Sequence, residues 1–121
     1  LNSNSIDYIN ASASSTPADD IAETHAIKKV FETKAHFIPV SSTKSMIGHS
    51  IGAAGAIEAV ACALAIQNQF VPAFINYKEK DPLCDLNYVS NQGREIKINN
   101  VLSNSFGLNN SITCLVFSKL E

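Results

Sequence analysis

The stretch Ser41-Ser42-Thr43-Lys44-Ser45-Met46-Ile47-Gly48-His49-Ser50, running directly into Ile51-Gly52-Ala53-Ala54-Gly55-Ala56-Ile57-Glu58-Ala59-Val60-Ala61-Cys62-Ala63-Leu64-Ala65-Ile66, decides how the chain folds. Its first part is a polar loop of small hydroxylated residues carrying Lys44 and His49. Its second part, Ile51 to Ile66, is apolar over 16 residues apart from Glu58. A membrane span needs roughly 20 apolar residues, so the run predicts a buried helix of a soluble domain over 51–68. Its alanines and glycines permit close approach of other backbones, as a central helix between packed layers requires. His49 stands beside the N-terminus of that helix, where a positive local potential favours the neutral imidazole, able to donate one hydrogen bond to a carbonyl oxygen. On the residues alone, a functional and a purely structural role for His49 both remain open. His25 and His36 read as ordinary surface or half-buried residues.

Outward from this stretch, the pattern alternates strands and helices. Ser5 to Asn10 has strand character through Ile6, Tyr8 and Ile9. After a small-residue loop, Thr16 is placed as N-cap, Pro17 as the first helical residue and Asp19 as the capping-box partner. Ile21, Ala22, His25, Ala26, Lys29 and Val30 recur at helical spacing, which carries that helix to about Glu32. Phe37 to Val40 and Phe70 to Asn76 read as strands, Tyr77 to Asn87 as a charged connection and Glu95 to Ile98 as an edge strand. Val101 to Ser105 and Ser111 to Ser118 form a closing hairpin, where Gly107, Asn109 and Asn110 tolerate positive φ. The order β-α-β-α-β-β predicts an α/β layered fold.

With 121 residues, 45% hydrophobic and 17% charged, the chain has a globular composition and the length of one domain or part of one. A formal charge of −2, with Arg94 as the only arginine and no basic block, argues against nucleic-acid binding. Cys62, Cys84 and Cys114 show no metal-ligand spacing and read as small buried hydrophobes in a reducing compartment, with no metal expected. The first residues lack a basic region followed by an apolar one, so no signal peptide is expected. The absence of a starting methionine reads as a fragment or a processed piece.

The loop Ser41 to His49, followed by Gly52-Ala53-Ala54-Gly55-Ala56, closely resembles the lysine–histidine segment of β-ketoacyl-acyl-carrier-protein synthases. Asp7-Tyr8-Ile9-Asn10-Ala11 resembles the strand before that family's first catalytic histidine, and Ser15-Thr16-Pro17 with Asp20 and Glu23 the helix after it. Asp81-Pro82-Leu83-Cys84-Asp85-Leu86 and Leu102-Ser103-Asn104-Ser105-Phe106-Gly107 resemble the late segments. The resemblance covers essentially the whole chain. It implies the C-terminal half of a thiolase-like fold of the elongating type, spanning 1–121. It also implies a complementary N-terminal half bearing the acylated cysteine, since none of the three cysteines here matches that motif. By the same resemblance Lys44 and His49 are the catalytic candidates, with Glu23 in support and paired with Lys44 across the fold. Ser14 and Thr16 face the pantetheine arm, and Phe106 and Leu108 line the acyl pocket. No cofactor is implied beyond the phosphopantetheine arm of an acyl carrier protein, which acts as substrate carrier.

Two departures from the family pattern shape the functional expectation. Ser12 stands where the family has its first catalytic histidine. The closing turn reads Phe106-Gly107-Leu108-Asn109-Asn110, where the family has Phe-Gly-Phe-Gly-Gly, so Leu108 replaces the aromatic gate and two asparagines replace two glycines. The resemblance therefore points to a non-condensing partner subunit akin to chain-length factors, in a heterodimer with an active ketosynthase. The alternatives are an active 3-oxoacyl-acyl-carrier-protein synthase with altered residues, a homodimer in place of the heterodimer, or a laboratory substitution in such an enzyme. The implied partners are an N-terminal half, a ketosynthase subunit and acyl carrier protein, with no nucleic acid and no membrane. The implied location is the cytoplasm, or a plastid or mitochondrion in a eukaryote. Lys44, His49 and Glu23 are expected to cluster with Ser12 nearby.

Overall fold

The structure, a computed structural model, describes residues 2–120. Five strands form the main sheet: β1 (Tyr8–Asn10), β2 (Pro39–Ser41), β4 (Asn87–Tyr88), β6 (Asn100–Phe106) and β7 (Ile112–Ser118), in the order β4-β2-β1-β6-β7. The first four are mutually parallel, and β7 closes the sheet antiparallel to β6. A separate two-stranded ribbon joins β3 (Phe70–Val71) to β5 (Arg94–Glu95). Helices α1 (Pro17–Phe31), α2 (Lys44–Ile47) and α3 (Ala54–Asn68) connect them, with α3 preceded by a 3₁₀ turn at Ile51–Ala53. This is the layered α/β fold expected, and its sheet is rich in parallel strands.

The inner strands of the sheet are covered on both faces because their residues alternate. Ile9 points to the α1 side, where it packs with Ile27, Phe31, Ala35, Ile38, Val40 and Leu86. Tyr8 points to the α3 side, where it packs with Cys62, Ala65, Val71, Val89, Ile98 and Val101. A period of two along each strand produces the division.

Several expectations are corrected. β1 keeps only the last three residues of the predicted strand, since Ser3–Ser5 coils into a 3₁₀ turn. The strand predicted from Phe70 is two residues long, because its ribbon partner is equally short, and Asn87–Tyr88 leaves the charged connection to pair with β2. The hairpin pairs Asn100 to Phe106 with Ile112 to Ser118. Of the three turn residues only Asn110 adopts positive φ, at 57°. The polar loop contains the short helix α2. The helix 51–68 is not buried all round: Ala54, Glu58, Cys62 and Ala65 form one buried face, while Ile57, Val60 and Leu64 are exposed, Val60 at 60%. By length and composition alone Ile51–Asn68 could cross a membrane. Cys114 is exposed, because the edge strand β7 has a face that no described element covers.

Helix α1 begins as expected, with Thr16 as N-cap and Pro17 first, although the Thr16 hydroxyl donates to the Asp19 carboxylate (2.6 Å) and accepts from no helix amide among the described residues. Its buried face is Glu23, Thr24, Ile27 and Phe31, not the face carrying His25, Ala26, Lys29 and Val30. The polar members of that face are satisfied. Thr24 Oγ1 donates to the Asp20 carbonyl at 2.8 Å and lies 3.1 Å from the Tyr88 hydroxyl.

Candidate active site

Strands β2, β1 and β6 are parallel neighbours, so their C-terminal ends open at one edge of the sheet. Asn10 is level with Ser41 and with Ser103. The loop that follows β1 carries Ser12, the segment after β2 carries Lys44, and the end of β6 carries Phe106. In parallel α/β sheets this edge is where ligands bind. Asn10 Oδ1, Thr43 Oγ1 and Asn104 Oδ1, buried at the same edge, have no hydrogen-bond partner among the described residues.

Two separate clusters form there. The first ties Lys44 to Glu58. Their side chains are 8% and 2% exposed, Lys44 Nζ pairs with Glu58 Oε1, and Ser105 Oγ donates to Glu58 Oε2 at 2.9 Å. The expected Lys44–Glu23 pair is thus replaced by Lys44–Glu58. The reason is the sheet itself: α3 lies on the face of Tyr8 and Ser105, and α1 with Glu23 on the other. Glu58 is the lone charge in the apolar run, and that isolation was the signal in the sequence that it needed a buried partner.

Glu23 instead forms the second cluster as a clamp on the backbone. Its Oε1 accepts from the Ser12 amide (2.9 Å) and from Asn104 Nδ2 (3.0 Å), and its Oε2 from the Ala13 amide (2.9 Å). Burial raises the Glu23 carboxyl above its ordinary value, and these donors pull it back only in part. The clamp holds Ala13 at φ 39°, in the left-handed region unfavourable to a residue with Cβ. Ser12 is 1% exposed, and its Oγ accepts from the Phe106 amide at 3.1 Å. So Ser12 joins Glu23 directly and shares no hydrogen bond with the ion pair of Lys44 among the described residues.

An open cleft of about 620 Å³ has Ser14, Lys44, Ser45 and His49 on its walls, facing the segment 74–79. His49 is exposed, and its Nδ1 accepts from the Ile51 amide at 3.0 Å. In a neutral ring this leaves the proton on Nε2, free to be donated to an acceptor in the cleft. Ser14 Oγ donates to Asp19 Oδ2 (3.1 Å) and lies 3.2 Å from Thr16 Oγ1, so the two hydroxyls make a fixed polar rim. Phe106 is half-buried at the end of β6, whereas Leu108 projects from the turn at 89% exposure. Among the described residues no group of three or more His, Cys, Asp or Glu side chains could hold a metal ion.

These features fit one class. Residues 1–78 match the model of the β-ketoacyl synthase C-terminal domain, and the chain belongs to the β-ketoacyl synthase family. It is 50% identical over 115 residues to 3-oxoacyl-[acyl-carrier-protein] synthase 2 of Coxiella burnetii, covering 95% of this chain and 28% of the relative. It is 46% identical over 120 residues to nodulation protein E of Rhizobium sp. (strain N33), covering 99% of this chain and 30% of that protein. The chain therefore spans less than a third of the curated relatives it matches. Among solved structures, it is similar to a chain of the complex between a type II polyketide synthase acyl-carrier protein and its ketosynthase bound to the hexaketide. The TM-score is 0.97 with 41% identity, covering 100% of this chain and 30% of that one. It is also similar to the ishigamide ketosynthase/chain length factor, with TM-score 0.95 and 36% identity, again covering 100% and 30%. The thiolase-like fold of the ketosynthases follows.

Proposed function

We propose that residues 1–121 are the C-terminal half of a ketosynthase-like subunit in fatty acid or polyketide chain elongation, and that this subunit is a non-condensing, chain-length-factor-like partner of an active ketosynthase. Ser12 carries the reading. It occupies the place of a histidine in the family pattern, and its oxygen is engaged by the Phe106 amide. A hydroxyl can donate a hydrogen bond but cannot act as a base near pH 7. Loss of one such acid–base group costs about 10²–10⁴ in rate. The turn supports the same reading, because exposed Leu108 is poorly placed to gate a pocket and two asparagine side chains occupy space that glycines leave open. Similarity to a ketosynthase/chain length factor structure is consistent with a heterodimer.

In this reading an N-terminal half supplies the acylated cysteine position and covers the open face of α3. Ser14 and Thr16 receive the phosphopantetheine arm of an acyl carrier protein. Lys44 holds the loop through Glu58, and His49 presents its Nε2 proton to a thioester carbonyl. A second reading, an active 3-oxoacyl-acyl-carrier-protein synthase, is favoured by the intact cleft of Lys44 and His49 and by the 50% identity to such an enzyme.

A malonyl-dependent elongation assay on the full-length subunit separates the two. Turnover only when a ketosynthase partner is added supports the non-condensing reading. Robust turnover by the subunit alone returns it to the active class. Ser12→His alone is expected to leave the lone subunit inactive.

A further inference from the structure

The antiparallel ladder decides which way the Phe106 amide points. Gly107 N donates to the Ser111 carbonyl at 2.8 Å, which makes Gly107 and Ser111 a hydrogen-bonded pair. Such pairs alternate with unbonded ones, so at the next pair, Phe106 with Ile112, the Phe106 N–H faces away from β7. It points to the side where β1 lay alongside β6, but β1 ends at Asn10. The acceptor found there is the Ser12 hydroxyl. Ser12 cannot easily withdraw, because its own amide and that of Ala13 are held by Glu23, which also holds the Asn104 side chain on β6.

We infer that Ser12 is a positioning residue: its hydroxyl oxygen takes over where the β1 backbone stops, pins the β6–β7 turn to the loop 11–13, and withdraws the Phe106 N–H donor from any ligand at the sheet edge. This deepens the non-condensing reading and, in its functional consequence, rests on it. The buried contact replaces an acid–base group by a structural brace.

The test reads the amide and not turnover, so it can fail while the functional reading stands, and the reverse. Hydrogen exchange is followed at single-residue level in the full-length subunit for wild type, Ser12→Ala, Ser12→Cys and Ser12→Thr. The expected result is a fall of about tenfold in Phe106 protection in Ser12→Ala, with Val101 and Ser103 on the same strand unchanged. Ser12→Thr, which keeps the hydroxyl, restores it. Should Ser12→Ala not fold, the Ser12→Cys and Ser12→Thr pair carries the comparison, because sulfur is a weak acceptor. Unchanged Phe106 protection without the hydroxyl overturns the inference. So does a parallel loss at Val101 and Ser103, which would mark a general loss of stability, or failure of Ser12→Thr to protect.

Discussion

Glu58→Ala should be among the most damaging single substitutions in this chain. The Lys44 and Glu58 side chains are 8% and 2% exposed, so solvent screens their interaction little. Removing the carboxylate strands the Lys44 ammonium against the alanine face of α3, at a cost of about 3–5 kcal/mol. The Ser105 hydroxyl loses its acceptor as well, adding about 1 kcal/mol. Replacing both partners by apolar residues, Lys44→Met with Glu58→Leu, should recover most of that loss, since no charge is left buried. The assay is urea denaturation of the full-length subunit as two double-mutant cycles. The Lys44/Glu58 cycle should show coupling well above 1 kcal/mol, and the Lys44/Glu23 cycle should be additive to within about 0.5 kcal/mol. A Glu58→Ala cost below about 1 kcal/mol, as for a surface pair, or strong coupling between Lys44 and Glu23, would refute the assignment.

Three further outcomes are expected. Burial pushes the Cys62 thiol from its ordinary 9.0 up to about 11, against hydrogen bonds from Ser103 and Asn10. The native state therefore keeps a proton that the unfolded chain releases, and stability present below pH 9 is lost as pH rises towards 11, by roughly 2–3 kcal/mol. Urea midpoints at the two ends of that window should show the slope. Cys62→Ala should reduce it between pH 9 and 10, leaving the part of the same sign that comes from Cys114, whose thiol is also raised by burial; this interval lies below the range where buried Tyr8 and Tyr88 add further losses. Gly93→Ala should destabilise by about 1–3 kcal/mol, because the new methyl meets the Phe70 ring and lies 2.9 Å from the Val71 carbonyl oxygen; a thermal melt unchanged from wild type would count against the ribbon geometry. A polypeptide of these 121 residues alone should self-associate through the uncovered Ile57, Val60 and Leu64 of α3 and the outer residues of β7, so a single monomeric peak with cooperative unfolding would contradict this.

Much of the architecture was legible because local chemistry and tertiary demand agree. Thr16-Pro17 starts α1 where capping preferences place it, and the strand signals on either side of Gly107 to Ser111, Val101 and Leu102 before it and Ile112 to Phe117 after it, pair as a hairpin. The apolar run to Ile66 fixes the position of α3 by itself. The face of α1 was misread for a physical reason: its buried side holds a carboxylate and a hydroxyl. Periodicity ranks residues by polarity and cannot know that two loop amides and an asparagine from β6 await Glu23. The short strands β3, β4 and β5 were misjudged because each is set by its partner's length and not by its own sequence.

The candidate site divides along the same line. Residue order is enough for the family resemblance, for the polar loop with Lys44 and His49, and for Ser12 and Leu108 standing where the family has a histidine and an aromatic ring. These are matters of residue identity, and identity needs no coordinates. Which groups meet depends on how the chain packs. Lys44 turns to Glu58 and Glu23 to the Ser12 loop because the sheet stands between α1 and α3, and Ser12 accepts from Phe106 because β1 ends where β6 continues. Such pairings join residues up to 94 positions apart, across strands whose order no local pattern encodes.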